Sequence, residues 1–433
     1  MNPSTFDADP LRTHKKPIVS RFFALALRSL LATSAVAASP ALAVAQSSPS
    51  SALVLDRARV IELARARSPE AVLSRARVDV VAAARAGTRA WSRDNPTVSV
   101  AAGPRLLNTG DWVADAIVAV SAPVDFSGVS GVRPRIVDAQ VRIAELEAEV
   151  VALDAVAESL DLWIRCAAAH ARAQLASEQR ATLEQAVRFA TARATHGIAS
   201  GTEVPLAELA RAQWAALEAE QRSQATSLER ALVARLGLAP AQRVSIEGAL
   251  DRGSLPPLEA LLARIEQHPS LAVADARATL ASRELELVRR TAWQPLRVSL
   301  AGGRENELYG RVGIDLSLPL FQRNEGPASV AQAQRTFANT ERRSAFATRE
   351  IALRQAYARW TSLDAAGAAI DEATRHADTV ARLSARAFEL GERDATTTIF
   401  SLREANNARR ARVDWLESKA LARLVIDRAI GAF

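Results

Sequence analysis

A single cysteine among 433 residues, Cys166, excludes any internal disulfide. Beside Ala167 and Ala168 in a helical stretch, it reads as a small buried residue. The five histidines (His14, His170, His196, His268 and His376) show no metal-ligand spacing. Nucleophile elbows, phosphate loops and metal-hydrolase motifs are absent, so no catalytic, cofactor or metal site is read and enzymatic chemistry has no foothold. Past residue 45 there is no run of about 18 apolar residues, which excludes a transmembrane helix. Between Gln140 and Gly197 there is neither proline nor glycine, which leaves room for one very long helix.

What is present begins with charge. The net charge is +7, but Arg12, Lys15, Lys16, Arg21 and Arg28 outweigh Asp7 and Asp9 in residues 1–45, and the remainder carries +4. Nucleic-acid binders gather basic charge on one face. Here Arg and Glu alternate along helical stretches, which is the pattern of solvated helix surface, so no nucleic-acid partner is read. The basic start leads into Phe22-Phe23-Ala24-Leu25-Ala26-Leu27 and a longer apolar run ending in Ala43-Val44-Ala45. That order predicts a secretory signal peptide over 1–45.

The rest is a duplication. Pro69 recurs as Pro269, and Val98-Ser99-Val100-Ala101-Ala102-Gly103 as Val298-Ser299-Leu300-Ala301-Gly302-Gly303. Ser121-Ala122-Pro123 matches Ser317-Leu318-Pro319, and Ala139-Gln140, Trp163, Gly197 and Gly237 match Ala333-Gln334, Tyr357, Gly391 and Gly431. The spacing predicts a first repeat over 46–247, with a hairpin 97–120, a long helix 131–197 and a return helix 203–236. A second repeat over 248–433 has a hairpin 297–318, a long helix 327–391 and a return helix 397–430. Each repeat opens with a further helix at its first proline.

The long helices set the architecture. Leu146, Leu153 and Leu160 recur every seven residues with Val150, Val156 and Trp163 between them, which is coiled-coil spacing. The stretch from Gln140 to Gly197 would span about 86 Å, roughly the summed length of the opening and return helices. Each repeat therefore reads as two antiparallel rods of equal length, mainly α with a small β part. Two hairpins cannot close a barrel, and open strand edges are not tolerated in lipid. Three copies would supply twelve strands and twelve rods, so a homotrimer is expected, with a 12-stranded β-barrel continuous with an α-helical barrel.

These features resemble the outer-membrane efflux protein family, the TolC family. The box Leu318-Pro319-Leu320-Phe321-Gln322-Arg323-Asn324-Glu325-Gly326 is similar to the second-repeat signature of its heavy-metal and cation efflux branch. Its weaker first copy is Ala122-Pro123-Val124-Asp125-Phe126-Ser127-Gly128, followed by Arg133. The resemblance covers essentially the whole chain after residue 45. It implies a passive outer-membrane exit duct with a periplasmic helical extension, served by a periplasmic adaptor protein and an inner-membrane RND pump. Heavy-metal cations are the implied cargo; drug efflux or type I protein secretion are the alternatives, and a periplasmic adaptor is a lesser one.

In the family the helix-to-helix turns form the periplasmic mouth. The resemblance therefore implies adaptor-docking tips at Gly197, Ile198, Ser200, Gly201 and Gly391, and a candidate gate at Glu392, Arg393 and Asp394. Under threefold symmetry either acid would become a ring of three carboxylates that favours cations. A plainer reading stays open, in which both acids simply favour the positive end of the following helix.

Overall fold

The computed structural model describes residues 52–88, 95–197, 201–293, 296–305, 307–318, 321 and 323–433. The expected signal peptide, 1–45, lies outside them. The first half runs β1 (Leu53–Leu55), α1 (Arg57–Arg67), α2 (Pro69–Ala83), β2 (Thr97–Leu106), β3 (Trp112–Val124), α3 (Val129–Thr195) and α4 (Glu203–Arg235). The second runs β4 (Val244–Ile246), α5 (Leu258–Ile265), α6 (Pro269–Arg290), β5 (Leu296–Glu305), β6 (Glu307–Asp315), α7 (Glu325–Glu389) and α8 (Ala395–Ile430).

Helices α3 and α7 have 67 and 65 residues, or about 100 Å each. Buried Leu146, Leu153, Val156, Leu160 and Trp163 form the packed stripe of α3, and Ala168, Ala169, Ala173, Ala176, Ala186 and Ala190 continue it. Alanines on both sides let α4 lie close along α3, with Ala207, Ala210 and Ala225 buried on α4. The two shorter helices of each repeat meet end to end. A Cβ on Gly237, just past α4, would collide with the carbonyl of Arg67, the last residue of α1 and two before α2 begins. Arg235 also reaches back to Glu70 at 2.6 Å. At the matching joint, Gly431 lies against His268 and Pro269 at the start of α6.

Both joints have a cap-plus-proline entry. The Ser68 hydroxyl accepts from the Ala71 amide, and His268 Nδ1 accepts from the Ser270 amide at 3.1 Å, each just before a proline at the first helical position. Two apolar clusters flank them. One gathers Leu55, Val60, Leu63, Leu160, Trp163, Leu232 and Leu236, with Trp163 Nε1 donating to the Leu55 carbonyl at 2.8 Å. The other gathers Leu261, Ile265, Leu271, Leu353, Trp360 and Ile426. The parallel pair β1–β4 ties the start of the first repeat to its end.

The remaining strands form one antiparallel sheet in the order β2-β3-β5-β6. The two hairpins join across the repeats, with Ser121 opposite Ser299. The first hairpin, expected over 97–120, runs further: β3 continues through Pro123 to Val124. The β2 ladder stops at Thr97–Ser121, so Pro123 lies where β3 has only β5 as a neighbour, and there a missing donor costs least. The opening helix of the first repeat, expected over about 69–93, is α-helical to Ala83 and tightens into a 3-10 turn over Ala84–Thr88, which contains Gly87.

Candidate functional site

The sheet separates its side chains by polarity, with Arg304 as the exception on the apolar face and Val113 and Ile117 on the polar one. Strand register places Val98, Val100, Ala102, Pro104 and Leu106 on the same face as Val120, Val118, Ala116, Ala114 and Trp112. Leu300, Val298 and Leu296 of β5 continue that face, as do Ile314, Val312 and Leu308 of β6. All the large apolar side chains of this face are exposed or nearly so, Leu308 by 90 %. The opposite face carries Thr97, Ser99, Arg105, Asp115, Ser121, Arg297, Ser299, Tyr309, Arg311 and Asp315. There Arg105 pairs with Asp115 at 3.5 Å, and Arg311 stacks over Tyr309 at 4.5 Å. Along β3 the polar face is the more enclosed of the two.

Aromatic side chains bound the apolar band. Trp112 stands at the hairpin end, while Phe126, Trp293 and the 99 % exposed Phe321 stand at the end nearest the helices. Strands of 9–13 residues match the length that crosses a bilayer at about 45° tilt. Among the described residues no helix is long and apolar enough to cross a membrane.

The proline boxes are joints from sheet to long helix. In the first, the Asp125 carboxylate accepts from the Ser127 and Ser130 amides at 3.0 and 2.7 Å and from the Ser127 hydroxyl at 2.7 Å. Burial opposes its charge, but these bonds hold it below the usual carboxylate range. Left-handed residues then start both long helices, Gly128 at φ 72° and Asn324 at φ 58°. Both dock on the end of α6. Arg290 donates to the Gly128 carbonyl at 3.3 Å, and Asn324 Nδ2 donates to the Val288 carbonyl at 3.2 Å. Pro319, Leu320 and Gln322 of the second box lie outside the described residues.

At the far end, Gly197 and Gly391 take φ 71° and 77°. Gly391 closes a complete Schellman cap: its amide donates to Phe388 O at 3.0 Å and that of Glu392 to Ala387 O at 2.9 Å. Ile198 and Ser200 lie outside the described residues; Gly201 is exposed. Glu392 and Asp394 are exposed, and Asp394 occupies the N-cap of α8. The Thr397 hydroxyl and amide hold the Asp394 carboxyl below its usual range, although no cap hydrogen bond of standard geometry closes. Arg393 turns inward within its own chain, donating to Ser384 Oγ at 2.8 Å.

Sequence reasoning missed the residue that joins the two tips. Arg193, in the last turn of α3, donates to the Arg393 carbonyl at 3.2 Å, sits 3.8 Å from the Glu203 carboxylate and lies over the Phe388 ring at 5.6 Å. Its three partners come from 10 to 200 positions away, so no local pattern marks it. A donor cluster was missed as well: Cys166, His170 and Glu229 place their ligand atoms within 4.8 Å of one another.

A sheet that is apolar on one face and polar on the other, set on helices about 100 Å long, has known counterparts. CusC, whose structures address transmembrane channel formation, superposes with a TM-score of 0.72 at 14 % identity, over 87 % of this chain and 92 % of that one. The outer-membrane protein VceC from Vibrio cholerae gives 0.70 at 17 % identity, over 87 % and 96 %. The fold is that of an outer-membrane channel. The open Neisseria gonorrhoeae MtrE outer-membrane channel also gives 0.70, at 15 % identity, over 87 % and 88 %. No protein-family profile and no curated protein sequence matches the chain. At these identities the likeness establishes the channel fold and leaves cargo and partners to be argued.

Proposed function

We propose that this chain is the outer-membrane exit channel of a tripartite export system, delivered through a cleaved signal peptide at 1–45. It works as a homotrimer with a periplasmic adaptor and an inner-membrane RND pump. The two-faced sheet carries this reading: its apolar side suits lipid, its charged side suits a water-filled bore, and edge strands β2 and β6 have no partner beyond β3 and β5 among the described residues. Three sheets joined β6 to β2 close a barrel of twelve strands. The duct performs no chemistry, and the pump supplies the energy.

Divalent heavy-metal cations are the proposed cargo, supported by the second proline box and by the acids Glu392 and Asp394 at the tip. Gly197, Ile198, Ser200, Gly201 and Gly391 are proposed as adaptor-docking positions. Glu392 and Asp394 are proposed as mouth acids, and Arg393 as the strut that holds their turn. The mature chain in detergent should have three times the monomer mass by light scattering, and a stable monomer refutes the assembly. Cells lacking it should become sensitive to cobalt, zinc or cadmium. Normal metal tolerance with new sensitivity to dyes or detergents transfers the cargo to the drug class.

A further inference from the structure

Cys166 and His170 are one turn apart on α3, and Glu229 faces them from α4. The thiol is fully buried, the imidazole is half-exposed, and the carboxylate lies between those extremes. His170 Nε2 and Glu229 Oε1 are 2.6 Å apart, while the Cys166 sulfur has only a long contact of 3.9 Å with the Ala225 carbonyl. The three donors thus form a short file from solvent into the α3–α4 seam. None of them belongs to the sheet, the joints or the tips.

We infer that Cys166, His170 and Glu229 form a binding site for one thiophilic divalent cation, of the zinc or cadmium class, that clamps the long helix to its return helix. One thiolate, one imidazole and one carboxylate make a donor set suited to borderline-soft cations, and water can supply the fourth position. Tetrahedral coordination at about 2.0–2.3 Å places neighbouring donors roughly 3.3–3.8 Å apart. The three donors already lie close to that arrangement, His170 and Glu229 2.6 Å apart and all three inside 4.8 Å. Side-chain rotations on the order of 1 Å, which staggered rotamer wells allow, complete the shell. Burial, with help from the Glu229 charge, pushes the Cys166 thiol up to about 12. Without a cation it therefore stays neutral, and binding expels its proton.

The alternative is a small core cysteine that happens to lie beside a surface His–Glu pair. The two differ in whether the sulfur bonds metal. The site is independent of the duct reading, because it is tested by binding to purified protein and needs no transport. The experiment is a Co2+ titration of the reduced, tag-free full chain in detergent, followed by Zn2+ and Cd2+ competition. One equivalent per chain should bind, with a near-ultraviolet thiolate-to-cobalt charge-transfer band that Cys166→Ser abolishes. His170→Ala and Glu229→Gln leave the core sulfur in place and should each weaken binding at least tenfold. Zn2+ should raise the melting temperature of the parent protein and not that of His170→Ala. Absence of the band in the parent, its persistence in Cys166→Ser, or unchanged affinity in His170→Ala would each overturn the site.

Discussion

Sheet and helical body obey opposite rules. Along α3 the leucines, Trp163 and a run of alanines turn inward and are covered, whereas along β3 Trp112, Val118 and Val120 turn outward and Asp115 and Ser121 turn to the enclosed side. The inversion occurs within a few residues, across the Pro123–Gly128 joint. Burial in water drives the first pattern, at about 25 cal/mol per Å2 of apolar surface. The second is stable only where the outer solvent is itself apolar. The molecule thus records a change of solvent along its own axis, and composition averaged over the chain conceals it.

The comparison can be broken most directly on β3. Val118→Arg places a charge on the outer face and should cost about 2–4 kcal/mol in every copy, while the adjacent Ala119→Arg, facing the polar side, should be tolerated. Membrane insertion and heat-modifiability on gels read the difference, and equal damage at both positions would remove the two-faced sheet. The helical body has its own acid limit, expected to be next in size. Burial first, then the Arg349 guanidinium, push His268 down to about 4. Above about pH 6.5 the ring is neutral in folded and unfolded chains alike. As pH falls from there toward 4, the unfolded chain takes up a proton that the folded one refuses, and up to about 3 kcal/mol is lost. His268→Asn keeps a capping acceptor and should flatten that part of the melting-temperature profile; an unchanged acid limb would assign the loss elsewhere.

Smaller effects belong to the tip. No atom lies within 4 Å of where a Gly391 Cβ would stand, so Gly391→Val should suffer only the left-handed strain at φ 77°, about 1–2 kcal/mol. The trimer should still insert, and export and adaptor cross-linking should fall; full export would mean that this turn takes no part in docking. Replacing Glu392 and Asp394 by alanine should cost about 0.5–1 kcal/mol, chiefly through loss of the Asp394 N-cap of α8. Its effect should appear as altered single-channel conductance and weaker blockade by multivalent cations in planar bilayers. Both unchanged would make the acids ordinary helix-start residues.

Much of the fold was legible because its determinants are local or periodic. The heptad Leu146, Leu153, Leu160 and the proline-free stretch announce a long helix, and alternation announces β3. The internal duplication supplied the second half from the first. What stayed hidden depends on pairing across sequence. Arg193 acquires meaning only when a tip 200 positions away arrives beside it. The turn spacing of Cys166 and His170 was visible, but Glu229 joins them from the next helix, 59 residues past His170. The first hairpin reads as ending at 120 because the sequence does not reveal that β3 runs on beside β5 after β2 has stopped.

The end-to-end joint of α4 with α2 carries one further consequence. One unbroken helix lies beside two that must touch, so the rod works as a ruler checked against a second ruler made of two pieces. Seven residues added to α3 alone would lengthen it by about 10 Å and pull Gly237 off the Arg67 carbonyl. A matching seven in α4 would restore the contact, and α7 and α8 would need the same pair of insertions to keep the tips level. Variants of this fold can therefore change reach only through coordinated insertions in four helices at once.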